Sequence, residues 1–257
     1  MISQAEKAAQ FRQLHVPGQP LVLYNVWDRC SAVAVAASGA RAIATGSWAI
    51  AHANGYADGE NIPLDLAIAN LVRIVEALPE LPVSADIESG YGATPQAVAQ
   101  TVARTIAAGA IGCNLEDSRP ADGTLRDIAE QVERIRHARQ ATEASLPDYF
   151  INARTDVFFH NDADQHDEAM LEHAIERAHA YAAAGASGLF VPGLVDLRLI
   201  GKLTAATPLP VNILAMPKAP PRAQLLQAGV ARISYGAISY RQMIQTLEQA
   251  ARAALVG

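Results

Sequence analysis

The chain has 257 residues and a formal net charge of -6. This length is typical of one α/β barrel, and a negative chain argues against a protein that binds nucleic acid by neutralising phosphates. The N-terminus lacks the basic-then-apolar order of a signal peptide, no apolar run is long enough to span a bilayer, and the two cysteines lack metal-ligand spacing. We therefore expect a cytoplasmic protein with reduced thiols and no membrane or nucleic-acid partner.

Eight short apolar segments, each followed by a helical pattern, are predicted to be strands. In chain order they are residues 21–25, 42–47, 83–88, 113–117, 149–154, 188–192, 211–215 and 232–236. Before four of them an alanine-rich stretch ends at a glycine, as helices often do, at Gly39, Gly109, Gly185 and Gly229. The alternation predicts a single TIM-type (β/α)8-barrel domain over residues 1–257. An open doubly wound sheet is the alternative, but no G-x-G-x-x-G follows the first strand.

Two helix starts are also predicted from local signals. Thr94 can cap a helix whose first position is Pro95. The segment from Thr124 to Asp127 has the form of a capping box, which predicts that another helix starts there.

Polar residues gather at the predicted carboxyl ends of the strands, and in a barrel these ends converge on the active-site face. Asp86 and Glu88 share one side of the third strand, and Glu116 ends the fourth. Like charges at short range repel, so this cluster predicts either raised pKa values or a bound cation. Mg²⁺, with Mn²⁺ as an alternative, prefers such oxygen ligands, and no histidine or cysteine cluster indicates zinc. The other interpretation is that some of these carboxylates cap helices, with Asp117 the strongest case.

Three further side chains have two interpretations each. Arg154 can grip a substrate carboxylate in a bidentate manner or form an internal salt bridge with Asp156 or Glu116. Asn212 can hydrogen-bond the same anion or satisfy a loop backbone. Trp48 can close the pocket wall or pack in the core.

These residues resemble the isocitrate lyase/phosphoenolpyruvate mutase superfamily, over nearly the whole chain. Residues 85–92, A-D-I-E-S-G-Y-G, are similar to the family metal motif D-x-D/E-x-G-Y/F-G, and residues 114–117, N-L-E-D, to its second acidic motif. The resemblance implies a barrel, a divalent metal, and a 2-oxo acid or its enolate bound to that metal. It implies the metal-site residues Asp86, Glu88 and Glu116, with Asp58 bound through water.

The resemblance also implies roles around the substrate. The loop of Thr45, Gly46 and Ser47 corresponds to the family loop whose backbone holds the substrate carboxylate, and Trp48 follows it. Arg154 falls on the substrate-binding arginine and Asn212 on an asparagine of the lyases. Arg154 and Glu116 are the candidate catalytic residues.

The chain departs from the family in the loop after the second acidic motif, which differs between family members that catalyse different reactions. Family lyases carry a K-[KR]-C-G-H loop, whereas residues 116–123 read E-D-S-R-P-A-D-G and contain no cysteine. The lysine and asparagine of the phosphonopyruvate enzymes are missing from this loop too. We expect a Mg²⁺-dependent carbon–carbon lyase or decarboxylase acting on a small 2-oxo acid or dicarboxylate. A phosphonopyruvate-type mutase or hydrolase and a non-catalytic 2-oxo-acid-binding protein are the alternatives.

The resemblance finally implies self-association, because family members pair by exchanging a C-terminal helix. The tail from Tyr240 to Val256 carries apolar residues at helical spacing, namely Met243, Leu247, Ala250, Ala251 and Leu255. A homo-oligomer, dimeric or tetrameric, is therefore expected.

Overall fold

Eight parallel strands follow one another around a ring. The computed structural model describes residues 2–256. The strands are β1 (Leu21–Leu23), β2 (Ile43–Ala44), β3 (Val83–Asp86), β4 (Gly112–Glu116), β5 (Phe150–Arg154), β6 (Gly188–Val191), β7 (Val211–Leu214) and β8 (Arg232–Ser234). Each consecutive pair from β2 to β8 is hydrogen-bonded in parallel, and β8 pairs with β1.

Val26 closes the remaining gap between β1 and β2. Its N–H donates to the Ala44 carbonyl at 2.9 Å, and its own carbonyl accepts from Gly46 N–H at 3.0 Å. With this bridge the ring is complete, and the predicted (β/α)8 barrel is confirmed.

Helices surround the strands. They are α1 (Gln4–Gln13), α2 (Arg29–Ala37), α3 (Ser47–Ala53), α4 (Leu64–Ala77), α5 (Pro95–Ala107), α6 (Ile128–Glu143), α7 (Glu168–Ala183), α8 (Leu197–Ala206), α9 (Arg222–Gln227) and α10 (Ile238–Val256). Helix α1 precedes the barrel, and its fully buried Phe11 packs edge-on against Phe150, the first residue of β5. No helix among the described residues combines the length and apolar character needed to cross a membrane.

The predicted helix ends have mixed outcomes. The four glycines that precede strands all have positive φ, between 80° and 101°, as expected for residues that end helices. Thr94 caps α5 by accepting from Ala97 N–H, and Pro95 is its first residue. The predicted capping box at Thr124 is wrong, and α6 begins only at Ile128. The Thr124 hydroxyl donates to Asp122 at 2.7 Å instead, so the chain is still turning where the helix was expected.

Seven of the eight strands end earlier than the sequence predicted, and only β5 ends at the predicted residue, Arg154. The segment predicted to run to residue 47 leaves the ladder after Ala44, and the segment predicted to run to 88 ends at Asp86. The polar residues that follow each strand therefore lie in loops or at helix starts, where their side chains are directed by hydrogen bonds rather than by the strand pleat.

Candidate active site

A pocket of about 270 Å³ opens at the carboxyl ends of the strands, on the barrel face that carries active sites in this fold. Six of the predicted site residues line it: Gly46, Ser47, Trp48, Asp58, Asp86 and Arg154. The segment after β2 and the ends of β3 and β5 thus come together as predicted, and the loop after α3 adds Asp58.

The other four predicted residues lie beside or below the pocket rather than on its wall. Thr45 is buried, and its hydroxyl accepts from Asp86 N–H at 2.8 Å. Asn212 is buried in β7 and donates to the Ser234 hydroxyl at 3.1 Å. Glu88 and Glu116 are held by neighbouring side chains and backbone.

Asp86 is fixed by the start of α3. Its Oδ2 accepts both the backbone N–H of Ser47, at 3.0 Å, and the Ser47 hydroxyl, at 2.9 Å. Its Oδ1 accepts no hydrogen bond within residues 2–256 and remains available to the pocket that the residue lines.

The loop of Thr45, Gly46 and Ser47 uses its backbone donors internally. Their N–H groups donate to Ser84 O, Val26 O and Asp86 Oδ2, respectively. A substrate carboxylate could accept from the Ser47 N–H only if the hydrogen bond from that N–H to Asp86 were broken. Ser47 therefore connects the predicted carboxylate-binding loop to the predicted metal ligand.

Two glutamates fasten the Asp58 loop to the end of β3. Glu88 accepts from Glu60 N–H at 2.5 Å and from the Tyr91 hydroxyl at 3.0 Å. Glu60 accepts in turn from the Ser89 hydroxyl and Tyr91 N–H. Burial, with the charges of Asp58 and Asp86, raises the pKa of Glu88 to about 7.

Glu60, Glu88 and Tyr91 all have positive φ, of 60°, 51° and 52°. Side-chain-bearing residues rarely adopt this backbone, which costs on the order of 1–3 kcal/mol each, and such strain gathers at functional sites. Sequence analysis missed Glu60, whose contacts join segments far apart in the chain. At the rim, desolvation and the charge of Asp86 raise the pKa of Asp58.

Arg154 forms the internal salt bridges that were one of its two predicted roles. Its Nη1 lies 2.8 Å from Glu116 Oε2, and its Nε and Nη2 donate to Asp156 at 2.6 and 3.0 Å. Burial acts to lower the Arg154 pKa, but the two carboxylates outweigh it and raise that pKa above its usual range. Burial also raises the pKa of Glu116, although Arg154 opposes the shift. Arg154 also lines the pocket, and its contact with a substrate carboxylate stays a prediction.

Asp117 belongs to the scaffold beneath this pair and caps no helix. It is fully buried and accepts from Arg177, from the Tyr181 hydroxyl and from Asp156 N–H, at 2.8 to 3.0 Å. Burial raises its pKa, with Arg177 opposing. Through Asp156, this buried network sets the position of Arg154.

Sequence analysis also missed the part of the pocket formed after β8. Asn25 accepts from Tyr235 N–H and Gly236 N–H, at 2.9 and 2.8 Å, and so shapes the loop that lines this side. Arg241 of α10 reaches the pocket, with its guanidinium 4.5 Å from the Trp48 ring centroid. Trp48 therefore forms part of the pocket wall, one of its two predicted roles.

The acidic residues fit a hard divalent cation held by few protein atoms. Asp86 and Asp58 both line the pocket, and a bound cation would offset the burial and the neighbouring charge that raise the pKa of Asp58. Within residues 2–256, no three acidic, histidine or cysteine side chains converge enough to hold a metal ion alone. Mg²⁺ typically takes only one or two carboxylates and completes its shell with water and substrate, so the donor set matches its preference.

The fold and the pocket together define a TIM-barrel protein whose acidic and basic side chains meet at the carboxyl ends of the strands. The family model described as phosphoenolpyruvate phosphomutase matches residues 11–255. The chain therefore belongs to this family, within the PEP mutase/isocitrate lyase superfamily, as the sequence motifs indicated.

Individual relatives carry different activities in their names. The 2-methylisocitrate lyase of Escherichia coli K12 is 29% identical over 91% of this chain and 83% of its own length. A crystal structure from Burkholderia cenocepacia J2315, assigned provisionally as a phosphonomutase, is 54% identical with a TM-score of 0.95 and covers 98% of this chain and 100% of its own. The structure of 2,3-dimethylmalate lyase is 26% identical with a TM-score of 0.84, over 98% of this chain and 87% of its own.

Proposed function

We propose that this protein is a Mg²⁺-dependent carbon–carbon lyase of 2-oxo-acid metabolism, and that its reaction is the decarboxylation of a small 2-oxo dicarboxylate. The observation that carries the proposal is that Asp86, with one free carboxylate oxygen, and Arg154 line the same small pocket. One wall can bind a cation and the other an anion, which is what a metal-bound carboxylate substrate requires.

The residues of this chain divide the work. Asp86 would hold Mg²⁺ (or Mn²⁺), with Asp58, Glu88 and Glu116 adding negative charge around it. Bound there, the cation would polarise the 2-oxo group and stabilise the negative charge that develops on it. Arg154, fixed by Glu116, would orient one substrate carboxylate through its planar guanidinium.

A second positive group supports a dicarboxylate. Arg241 lies at the α10 side of the pocket, and Trp48 supports its guanidinium. A molecule with two carboxylates could therefore be held at both ends, by Arg154 and Arg241.

The chemistry of the pocket wall favours decarboxylation among the lyase reactions. No cysteine, histidine or lysine of the described residues lines the pocket, and the only two cysteines lie elsewhere, Cys30 exposed and Cys113 buried. Cleavage of a 2-hydroxy acid needs a base to take the hydroxyl proton. Loss of CO₂ from a 3-carboxy-2-oxo acid needs none, because the electrons of the broken C–C bond pass to the 2-oxo group. The resulting enolate then takes a proton from water at C3 to give the 2-oxo acid.

A P–C mutase or hydrolase is the second candidate, favoured by the match to the phosphoenolpyruvate phosphomutase family model. Such an enzyme would use the same cation and Arg154 to hold phosphonopyruvate. A 2-oxo-acid-binding protein without turnover is the third.

A substrate panel separates the three. The purified protein with Mg²⁺ is incubated with oxaloacetate, 2-methylmalates, methylisocitrate and phosphonopyruvate, and products are followed by NMR. We expect pyruvate and CO₂ from oxaloacetate, at a rate well above the Mg²⁺-only control and lost with EDTA. Phosphonopyruvate turnover alone would establish the second candidate, and binding of oxaloacetate or oxalate without turnover the third.

A further inference from the structure

A fully buried arginine without a carboxylate partner lies in the barrel interior beneath the pocket. Arg232, on β8, donates from Nη2 to Asn114 Oδ1 and from Nε to the Ser234 hydroxyl, both at 3.2 Å. Its Nη1 has no partner, and no carboxylate of residues 2–256 lies within 4.0 Å of the guanidinium. Burial lowers its pKa to about 9, with the charge of Asp86 opposing.

Such an arrangement is costly for folding alone. A buried charge normally needs an opposite charge to offset its desolvation, as Arg177 has in Asp117 at 3.0 Å. Neutral amide and hydroxyl oxygens compensate Arg232 only in part. An anion bound in the pocket above would supply the missing negative charge.

Asn114 connects Arg232 to that pocket. Its Oδ1 accepts from Arg232 and also from Asn152 Nδ2, at 2.9 Å. Two donors on one atom fix which end of the amide is the oxygen. The Nδ2 group donates to no atom of the described residues, and Asn114 lines the pocket.

We propose that Asn114 donates a hydrogen bond from Nδ2 to an oxygen of the bound anion, and that Arg232 is a positioning residue that holds this amide and adds positive charge behind it. The proposal deepens the function argued above and rests on it. It adds a polar floor, made by Asn114, Asn152 and Arg232, to a site otherwise built from the loops at its rim.

The hydrogen bonds around Arg232 make a structural role and a binding role separable. In Arg232→Met, Asn114 Oδ1 would still accept from Asn152, and the Ser234 hydroxyl would still accept from Asn212. No acceptor loses its last side-chain donor, while an uncompensated buried charge is removed. The melting temperature of the ligand-free protein should therefore stay level or rise, whereas anion affinity should fall roughly tenfold or more.

Asn114→Asp is the sharper variant. It keeps the acceptor for Arg232 and Asn152 but replaces the pocket-facing donor with a carboxylate oxygen. The new charge would pair with Arg232 and repel an anion in the pocket. We expect a higher melting temperature together with a loss of anion affinity of about a hundredfold or more.

Arg134→Met is the matched control for removing a buried arginine. Arg134 is also almost fully buried, but it donates to the backbone carbonyls of Ser89 and Gly92. Its removal should lower the melting temperature, because buried carbonyls lose a donor.

The experiment measures oxalate affinity by calorimetry with saturating Mg²⁺, and melting temperature without ligand, for wild type and the three variants. Weakened oxalate binding in Asn114→Asp and Arg232→Met, without loss of melting temperature, is the expected result. Wild-type affinity in Asn114→Asp would overturn the inference while leaving the proposed function intact, and this variant decides the matter even if Arg232→Met does not fold. If the wild-type protein itself binds neither oxalate nor any panel substrate, the proposed function fails, and the inference fails with it.

Discussion

Arg154 Nη1 lies 2.8 Å from Glu116 Oε2, so the arginine that faces the pocket is also the counter-charge of a buried glutamate. Asp156, whose side chain is only 1% exposed, holds the other side of the same guanidinium. Under the proposed function this one side chain would contact the ligand and also support the fold, so changing it should affect ligand affinity and folding together.

The first prediction concerns Arg154→Lys. Lysine keeps the charge but loses the planar fork, and losing a bidentate charged contact should lower kcat/KM or ligand affinity roughly a hundredfold. The melting temperature should fall as well, because Glu116 and Asp156 lose part of their compensation. Steady-state kinetics and thermal melting measure the two effects. Arg104→Lys, at an exposed ion pair with Asp65, should change neither; intact affinity in Arg154→Lys with a lower melting temperature would remove Arg154 from substrate binding.

The second prediction concerns Asp86→Asn. The amide oxygen can still accept from Ser47, so the fold should persist, whereas the charge that would attract Mg²⁺ is gone. We expect Mg²⁺-dependent binding of oxalate or pyruvate to disappear and the melting temperature to change little, as measured by calorimetry and thermal scans. The proposed metal role of Asp86 is wrong if Asp86→Asn binds oxalate as tightly as the wild type and if EDTA changes the affinity of neither protein.

The barrel was predictable from sequence because its signals are local and repeated. Eight apolar segments alternate with helical patterns, and each predicted strand is present, although seven of them end before the predicted residue. The predicted strand ends also placed Asp86 and Arg154 on one face of the barrel, because parallel strands bring their carboxyl ends to the same face.

Other parts of the site depend on distant contacts that have no local pattern. Glu60 gains its role only when its carboxylate meets Ser89 and Tyr91, which follow β3 about thirty residues further along the chain. Arg232 follows an ordinary glycine turn, and only the folded barrel shows that it faces Asn114 with no carboxylate. Thr124 shows that a local pattern can also give a wrong prediction, because its hydroxyl donates to the nearby Asp122 and does not cap a helix.

The third prediction is that the protein forms a homo-oligomer through α10. Helix α10 leaves Met243, Leu247 and Leu255 exposed by 37%, 60% and 86%, at helical spacing, and a partner would remove this apolar surface from water. Light scattering at micromolar concentration should give a dimer or tetramer for the wild type and a smaller mass for Leu247→Glu. Gln245→Glu adds the same charge at another exposed position of α10 and should keep the assembly. A monomeric wild type would contradict the prediction.

The fourth prediction concerns acid stability and His15, which is buried between α1 and the barrel. Its Nδ1 donates to Phe11 O at 2.8 Å, and its ring stacks on Phe150 with centroids 4.0 Å apart. Burial, reinforced by the positive charge of Arg232, lowers its pKa to about 3 from the usual 6.5. The folded protein therefore keeps this ring neutral at a pH where the unfolded chain would protonate it.

The sign of the effect follows from which state binds the proton. Above pH 6.5 neither the folded nor the unfolded state protonates His15, so the residue does not lower the free energy of unfolding there. As the pH falls towards 3, only the unfolded state gains the proton, and the free energy of unfolding drops by about 1.4 kcal/mol per pH unit. His15→Phe keeps the aromatic stack and has no proton to gain, so urea denaturation at pH 7.5 and pH 5 should show a wild-type loss larger by about 2 kcal/mol. His179→Gln removes an exposed histidine and is the matched control, so it should show the same pH dependence as the wild type. Equal losses of stability in the wild type and His15→Phe would contradict the prediction. They would show that His15 is protonated within the fold, through an opening of α1 over the barrel.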